Sequence, residues 1–218
     1  MMKKYSYLLL ACSMLATSCE RDLLRGEGPV LTEKREVPAF ERINSDGSTR
    51  IHISYADTFS VTVTAYASLL PHFQTRVNGG VLELGIRDAV SVRNDNSEVY
   101  ITLPALEGLR LNGSGEGRIS GPFPSLSSLL LEINGSGSIR GTAAGVDSLQ
   151  AVITGSGSMH LEELPARAAG ISISGSGDLR VSVSEELNVH ISGSGRVYYR
   201  GDPSVSSEIS GSGKVLKF

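Results

Sequence analysis

The sequence predicts an all-β chain that coils into a right-handed parallel β-helix, a solenoid with Gly-Ser-Gly corners. A sequence motif built on Gly-Ser-Gly occurs six times, at steps of 22, 20, 20, 18 and 18 residues. Apolar residues flank every triplet at spacings of two, as on one face of a strand. Such a period indicates one supersecondary unit stacked on copies of itself, and parallel crossovers are right-handed. The first glycines of the triplets are Gly113, Gly135, Gly155, Gly175, Gly193 and Gly211.

Composition agrees with this class. The 218 residues are 40% hydrophobic and include 25 glycines and no tryptophan, a mix that suits strands and tight turns. The formal net charge is −3, so nothing in the charge balance favours a nucleic-acid partner.

Residues 1–18 are predicted to be a lipoprotein signal peptide. Lys3 and Lys4 precede an apolar run that is too short for a transmembrane helix. Small residues then lead to Cys19, which would be acylated and become the new N-terminus; secretion without a lipid is the alternative. The other cysteine, Cys12, lies in the same segment, so we expect no disulfide in the exported protein.

The rest of the chain divides into a tether and one domain. Residues 19–36 are charged, lack an apolar period and contain Gly28-Pro29, which predicts a flexible tether. Residues 37–218 are predicted to form a single β-solenoid, with regular repeats from about residue 109. The short alternating runs before that point predict irregular first coils, and residues 43–48 resemble a worn copy of the repeat.

Aligning the triplets gives columns of apolar residues that should face the core. Each coil is then one strand, a sharp corner, a second strand and a looser return. Two residues before the triplets stand Leu111, Ile133, Ile153, Ile173, Ile191 and Ile209. After the triplets the inward residues are Ile119, Ile139, Met159, Leu179, Val197 and Val215.

The paired glycines point to a special backbone shape at every corner. Glycine destabilises a regular element by roughly 0.5 to 1 kcal/mol, so its recurrence predicts either a positive φ or a wall too close for a Cβ atom. The serine between the glycines should point outward and hydrogen-bond to the serines of neighbouring coils.

The main competing architecture is an antiparallel meander or sandwich. Successive triplets would then lie two strands apart, about 10 Å, with no contact to explain why they are identical. A flexible Gly/Ser linker is excluded by the apolar residues that flank each triplet at spacing two.

Residues 37 to 218 resemble the bacterial family called putative auto-transporter adhesin, head GIN domain. The resemblance is carried by the repeated Ile-Ser-Gly-Ser-Gly phrase, by Phe40-Glu41-Arg42-Ile43, and most specifically by the closing stretch 192–215. It implies a right-handed β-helix in envelope proteins of Bacteroidetes, an adhesion role, and no known catalytic residues.

The residues themselves offer little chemistry. The four histidines, His52, His72, His160 and His190, lack the spacing of a metal site, and no phosphate-binding or calcium-repeat motif is complete. We therefore expect no enzyme activity, no cofactor and no metal. Asp147-Ser148-Leu149 resembles the short acceptor for O-glycosylation in Bacteroidetes, so Ser148 is a candidate acceptor.

One outward column has the character of a binding surface. The residue after the inward apolar position reads Ser120, Arg140, His160, Arg180, Tyr198 and Leu216. Stacked coils would place Arg140, His160, Arg180 and Tyr198 about 4.8 Å apart, where they could hold an acidic glycan or another carboxylate-bearing polymer. Ordinary solvent-facing strand chemistry is the alternative.

The leading interpretation is a non-enzymatic lipoprotein of the outer membrane that serves as an adhesin or binding module. Its partner would be a glycan or another envelope protein. A structural module that forms a homo-oligomer through an open coil end is the second hypothesis. A polysaccharide-degrading enzyme of the β-helix class is the third.

Overall fold

The computed structural model describes residues 23–87, 91–121 and 123–218. The chain is all-β and forms stacked parallel coils in a solenoid of about five turns, which confirms the predicted fold class. The predicted signal peptide, residues 1–18, and Cys19 lie outside the described residues.

Nineteen strands and a 3-10 helix, Leu70–His72, make up the described chain. The first nine strands are β1 Leu23–Arg25, β2 Val30–Arg35, β3 Arg42–Gly47, β4 Arg50–Tyr55, β5 Ser60–Tyr66, β6 Phe73–Asn78, β7 Val81–Ile86, β8 Ser91–Arg93 and β9 Glu98–Leu103. The others are β10 Gly108–Gly113, β11 Glu116–Ser120, β12 Leu126–Gly135, β13 Ser138–Thr142, β14 Val146–Gly155, β15 Ser158–Gly175, β16 Asp178–Gly193, β17 Arg196–Arg200, β18 Ser204–Gly211 and β19 Lys214–Lys217.

The corners divide the coils between two sheets with parallel pairing from coil to coil. Sheet A holds the strands that enter the corners: β7, β3, β10, β12, β14, the C-terminal halves of β15 and β16, and β18. Sheet B holds the strands that leave them: β9, β4, β11, β13, the N-terminal halves of β15 and β16, β17 and β19. Like residues of successive repeats therefore face one another, as Ile153 does Ile173.

The predicted apolar columns form the core between the sheets, except in the last coil, where Ile209 is 40% exposed because no further coil of the described chain covers it. Ile133, Ile153 and Ile191 are fully buried in sheet A, and Met159 and Leu179 are fully buried in sheet B. Each such side chain contributes roughly 1.5 to 3 kcal/mol by leaving water, so the columns stabilise the stack without disulfides.

Both glycines of each triplet are required, for partly different reasons. Gly175 has φ +125°, and a Cβ atom on it would lie 2.4 Å from the carbonyl oxygen of Gly155 in the preceding coil. A Cβ atom on Gly177 would lie 2.6 Å from Cγ2 of Ile153. The first position of a triplet therefore requires glycine both because its φ is positive and because no Cβ atom fits. The second requires glycine because no Cβ atom fits.

Backbone hydrogen bonds hold the corners together. The amide of Ser176 donates to the carbonyl of Gly155 at 2.9 Å, and the same bond recurs at the neighbouring corners. The corner serines are exposed, as predicted, but no hydrogen bond within the described chain joins two of their hydroxyls. The predicted hydroxyl stack is therefore replaced by a stack of peptide groups.

The sequence prediction misplaces the inward residue after the first triplet by two positions. Gly117, not Ile119, pairs with Ile139, and Ile119 pairs with Gly141. A side chain at Gly117 is unnecessary because Leu109 fills the space: a Cβ atom there would lie 2.6 Å from Cδ2 of Leu109. The outward residue of this coil is consequently Arg118 and not Ser120.

Two of the predicted returns are not loops. Residues 164–166 lie within β15 and residues 184–186 lie within β16, so the chain stays extended around the third side of the coil. The pairing of these two strands shifts register between Leu161 and Ala166. Such irregularities bend a strand while keeping it in its sheet.

The N-terminal coils are not stacked in chain order. β3 pairs with β10 on one side and with β7 on the other, so the β3–β4 coil is inserted between its later neighbours. Gly47 aligns with Gly113, which confirms that residues 43–48 are a copy of the repeat. The antiparallel strands β2, β5 and β9, with the β6–β7 hairpin, complete this end.

Part of the predicted flexible tether is folded. β1 pairs with β8, and β2 pairs with β5 from Val30 opposite Tyr66 to Arg35 opposite Val61. Without β2, the backbone N–H and C=O groups along one edge of β5 would be unpaired, and β2 forms hydrogen bonds with them. A hydrogen bond between the hydroxyls of Thr32 and Thr64, 2.9 Å, reinforces the pair.

Replacement of Gly175 by alanine tests the corner. We expect Gly175→Ala to lower stability by about 1 to 3 kcal/mol, because the new Cβ atom would be strained and would collide with the carbonyl of Gly155. Ser176→Ala, at an exposed position of the same corner, is the control and should be nearly neutral. Urea unfolding measures both; equal midpoints for the two variants would contradict the close approach.

Candidate functional site

The structure brings the four residues of the predicted ladder together on the outer face of sheet B. Arg140 pairs with His160, His160 with Arg180, and Arg180 with Tyr198. Leu216 follows Tyr198 at the C-terminal end of the column. The column exists because each residue follows a buried one in its strand and therefore points outward.

The column continues beyond the residues identified from the sequence. Arg118 pairs with Arg140, His52 pairs with Arg118, and Tyr100 pairs with His52. We call the whole set the basic column: Tyr100, His52, Arg118, Arg140, His160, Arg180 and Tyr198. The first three escaped the sequence analysis because glycine, Gly117, holds the inward position of the first repeat and because the β3–β4 coil is displaced.

The centre of the basic column carries positive charge with little compensation. Arg118 lies 3.1 Å from Glu116, and His160 lies 4.0 Å from Glu162. Within the described ranges, Arg140 and Arg180 form no salt bridge. Like charges opposite one another in a sheet are destabilising, so Arg118 beside Arg140 is an arrangement that an anion would relieve.

The C-terminal end of the column is aromatic. The guanidinium carbon of Arg180 lies 5.1 Å from the ring centre of Tyr198 and 5.6 Å from that of Phe218. Arg196 lies 6.0 Å from the Tyr198 ring and makes two hydrogen bonds to Asp178, of 2.8 and 2.6 Å. These cation–π contacts orient Tyr198 while leaving Arg180 without a carboxylate.

The N-terminal end is a second aromatic cluster. The rings of His52 and Tyr100 are stacked, with centres 4.7 Å apart and planes at 10°. The Tyr100 hydroxyl donates to Glu98 at 2.6 Å, and Arg50 binds the other oxygen of that carboxylate. The hydrogen bond from Tyr100, aided by Arg50, lowers the pKa of Glu98, and the same bond raises the pKa of Tyr100.

His52 in this cluster has an unused hydrogen-bonding atom. Its Nε2 is buried and makes no hydrogen bond to the described residues, and it lies 3.8 Å from Glu98. The Tyr100 ring that covers it is 46% exposed. His52 therefore occupies one face of the Tyr100 ring and holds it by stacking, while part of Tyr100 stays open to solvent.

The remaining candidates do not converge on a reaction centre. His190 lies on sheet A, 3.4 Å from Glu208, and His72 ends the 3-10 helix. Within residues 23–87, 91–121 and 123–218, no group of three or more His, Cys, Asp or Glu side chains could hold a metal ion. Ser148 is half-buried in β14, with Ser128 and Ala168 beside it in the sheet.

A depression of about 620 Å³ lies on the third side of the coils. Both arginines that line it have partners: Arg167 lies 2.8 Å from Glu185, and Arg200 donates to the backbone carbonyl of Glu162 at 2.8 Å. The part of the chain that the structure describes contains no helix that is long and apolar enough to span a membrane.

Comparison with known proteins agrees with the geometry. The family model described as putative auto-transporter adhesin, head GIN domain, matches residues 39–203. A putative adhesin from Bacteroides fragilis shares the fold at 20% identity and a TM-score of 0.68, with 89% of this chain and 99% of that one covered.

Two further solved structures share the fold. A putative lipid binding protein from Parabacteroides distasonis has 22% identity and a TM-score of 0.63, over 90% of this chain and 99% of that one. A putative adhesin from Parabacteroides merdae has 18% identity and a TM-score of 0.54, over 90% and 99%. No curated protein matches the chain.

The lowered pKa of Glu98, which Tyr100 and Arg50 bind, predicts a pH-dependent contribution to stability. Because the pKa of Glu98 is lowered in the fold, its carboxylate stabilises the protein above about pH 4.5, and this contribution is lost as the pH falls through the folded value. We expect Glu98→Gln to lower the melting temperature at pH 7 and the difference from wild type to shrink towards pH 3.

Glu41→Gln is the matched control, since Glu41 is exposed and forms no salt bridge among the described residues. It should match wild type at both pH values. A Glu98→Gln deficit that is the same at both pH values would contradict the role of the carboxylate.

Proposed function

The chain belongs to the putative auto-transporter adhesin, head GIN domain family, and from this premise we propose that it is a non-enzymatic binding module of the adhesin type. The solved structures that share its fold are described as putative adhesins and a putative lipid binding protein. A rigid solenoid suits such a role because it displays a long outer surface on a scaffold of fixed spacing.

The basic column is the observation that supports this proposal most. Arg140 and Arg180 point outward from coils two steps apart without a salt bridge in the described part of the chain, and His160 stands between them. Guanidinium groups bind carboxylates through paired hydrogen bonds. The ligand class that fits is an acidic glycan or another polymer that bears carboxylates.

The signal sequence supports a location in the bacterial envelope. The apolar run that ends in Cys19 is typical of exported lipoproteins, which hold a folded domain at the membrane by acyl chains. We place the protein at the outer membrane through this anchor, on the cell surface or on the periplasmic face.

A structural module that forms oligomers is the second candidate. β18 and β19 each pair with one strand among the described residues, and apolar side chains of this last coil are exposed. Their exposed fractions are 41% for Val205, 40% for Ile209, 39% for Leu216 and 49% for Phe218. A second copy could cover them by pairing edge to edge.

Removing the uncompensated arginines tests the binding proposal. We expect the double change Arg140→Gln and Arg180→Gln to weaken binding to an acidic polysaccharide at least tenfold, because each charge-assisted hydrogen bond contributes about 1.5 to 3 kcal/mol. Added salt should weaken the wild-type complex.

Arg42→Gln, at an exposed arginine on sheet A, is the control and should bind like wild type. Glycan-array binding followed by calorimetry is the measurement. An equal loss of affinity in Arg42→Gln would show that any exposed positive charge attracts the glycan and would contradict a specific role of the basic column. No binding of any acidic glycan by wild type would overturn the proposal.

Cys19→Ser tests the anchor. Without the acylated thiol the protein should move from the membrane fraction to the soluble fraction of a cell lysate. Retention of both proteins in the membrane fraction, or a wild-type protein that is already soluble, would contradict a lipid anchor at Cys19.

Analytical sedimentation tests the oligomer. If the last coil pairs with a second copy, the protein should dimerise as its concentration rises, and Ile209→Asp should leave it monomeric. Ser210→Asp, on the outer face of the same strand, should dimerise like wild type. A wild-type monomer at all concentrations would overturn this second candidate.

A further inference from the structure

The basic column has a length and a pattern that narrow the class of ligand. Its seven residues are in register over six coil-to-coil steps, from Tyr100 to Tyr198. At about 4.8 Å per step the column is about 29 Å long and runs parallel to the solenoid axis. A compact anion would touch only one or two of its steps.

Aromatic rings lie at both ends of the column and cations lie between them. Tyr100 is 46% exposed and is held flat by His52, while Tyr198 is held between Arg180 and Arg196. Tyr100 is exposed and Tyr198 is half-buried. A tyrosine ring offers an apolar face with a polar edge, which suits the mixed surface of a sugar ring. Each end of the column therefore carries a tyrosine ring, the kind of group that stacks on a sugar.

The positions that flank the column are polar, and around Arg140 they are small. Ser138 and Ser158 stand beside Arg140 and His160 on one side, and Thr142 and Ser182 lie on the other. The flanking carboxylates Glu162 and Asp178 face His160 and Arg196. Small hydroxyl side chains leave the arginines raised above the sheet and can hydrogen-bond to a polyol. Among the described residues, exposed apolar side chains near the column are confined to its C-terminal end, at Leu216 and Phe218, and the rest of the column is polar, which favours a polysaccharide over a membrane.

We infer that the ligand is a linear polysaccharide of the uronate class that lies along the solenoid axis on sheet B. Its carboxylates contact Arg118, Arg140 and Arg180, and its sugar rings stack on Tyr100 and Tyr198. This inference rests on the proposed binding function. It adds the chemical class of the ligand, the direction in which the ligand lies on the surface, and a role for Tyr100 in binding it.

A length series of oligouronates tests the inference. Chains long enough to span about 29 Å should bind at least tenfold more tightly than a disaccharide, because distant contacts then act in one molecule. Neutral oligosaccharides of equal length should not bind. Calorimetry with purified full-length protein gives both affinities.

Two variants at Tyr100 separate the ring from its hydroxyl. Tyr100→Ala should lower the affinity for the long chain about five- to tenfold and leave the disaccharide unaffected. Tyr100→Phe removes the hydrogen bond to Glu98 but keeps the ring, so it should bind the long chain like wild type. Circular dichroism checks that both variants fold.

The outcomes distinguish this inference from the broader proposal. If the affinity for oligouronates depends neither on chain length nor on the Tyr100→Ala change, the axial arrangement is overturned. The broader binding proposal then still stands. No binding of any uronate would overturn this inference, and no binding of any acidic glycan would overturn the binding proposal as well. Binding to vesicles of anionic lipid, abolished by Arg140→Gln, without uronate binding, would overturn the polysaccharide and identify a membrane surface as the ligand.

Discussion

The close approach of peptide groups at the Gly-Ser-Gly corners is the constraint on which the rest of the structure depends. At all six corners the first glycine has a positive φ, and a Cβ atom on it would lie 2.3 to 2.5 Å from the carbonyl oxygen of the preceding corner. The serine amide next to it donates to that same oxygen. Glycine is thus the residue that allows each corner to rest directly on the last.

Once the corners are stacked, the register of both sheets follows. A slip by one residue would move every apolar side chain to the solvent face, which the buried columns forbid. The same register carries outward residues such as Arg140 and His160 into contact. The surface pattern is therefore a consequence of the packing pattern, and a solenoid can display regularly spaced functional groups at no further structural cost.

The sequence predicts the fold well where the repeat is regular and less well where it is interrupted. The apolar residues on either side of Gly155 and Gly175 were placed correctly, because one spacing rule governs them. Arg118 escapes the prediction because the inward position before it is Gly117, which has no apolar side chain, and only the pairing of Gly117 with Ile139 shows that it faces inward.

The N-terminal part of the basic column could not be predicted from spacing. His52 and Tyr100 join the column because the β3–β4 coil is inserted between coils that follow it in the chain, a long-range arrangement with no local signal. The pairing of β2 with β5 is of the same kind: charged residues at 33–35 suggest solvent, yet the strand edge beside them supplies the hydrogen bonds.

The distance between two distant corners tests the stacked register most directly. Spin labels at residues Ser136 and Ser212, in a protein with Cys12 and Cys19 replaced by serine, lie four coils apart and should be separated by about 19 Å at the backbone. Pulsed electron spin resonance that gives a single narrow distribution near that value, widened only by the label arms, is the expected result. A separation near 38 Å, as for triplets two strands apart in an antiparallel meander, would contradict the account.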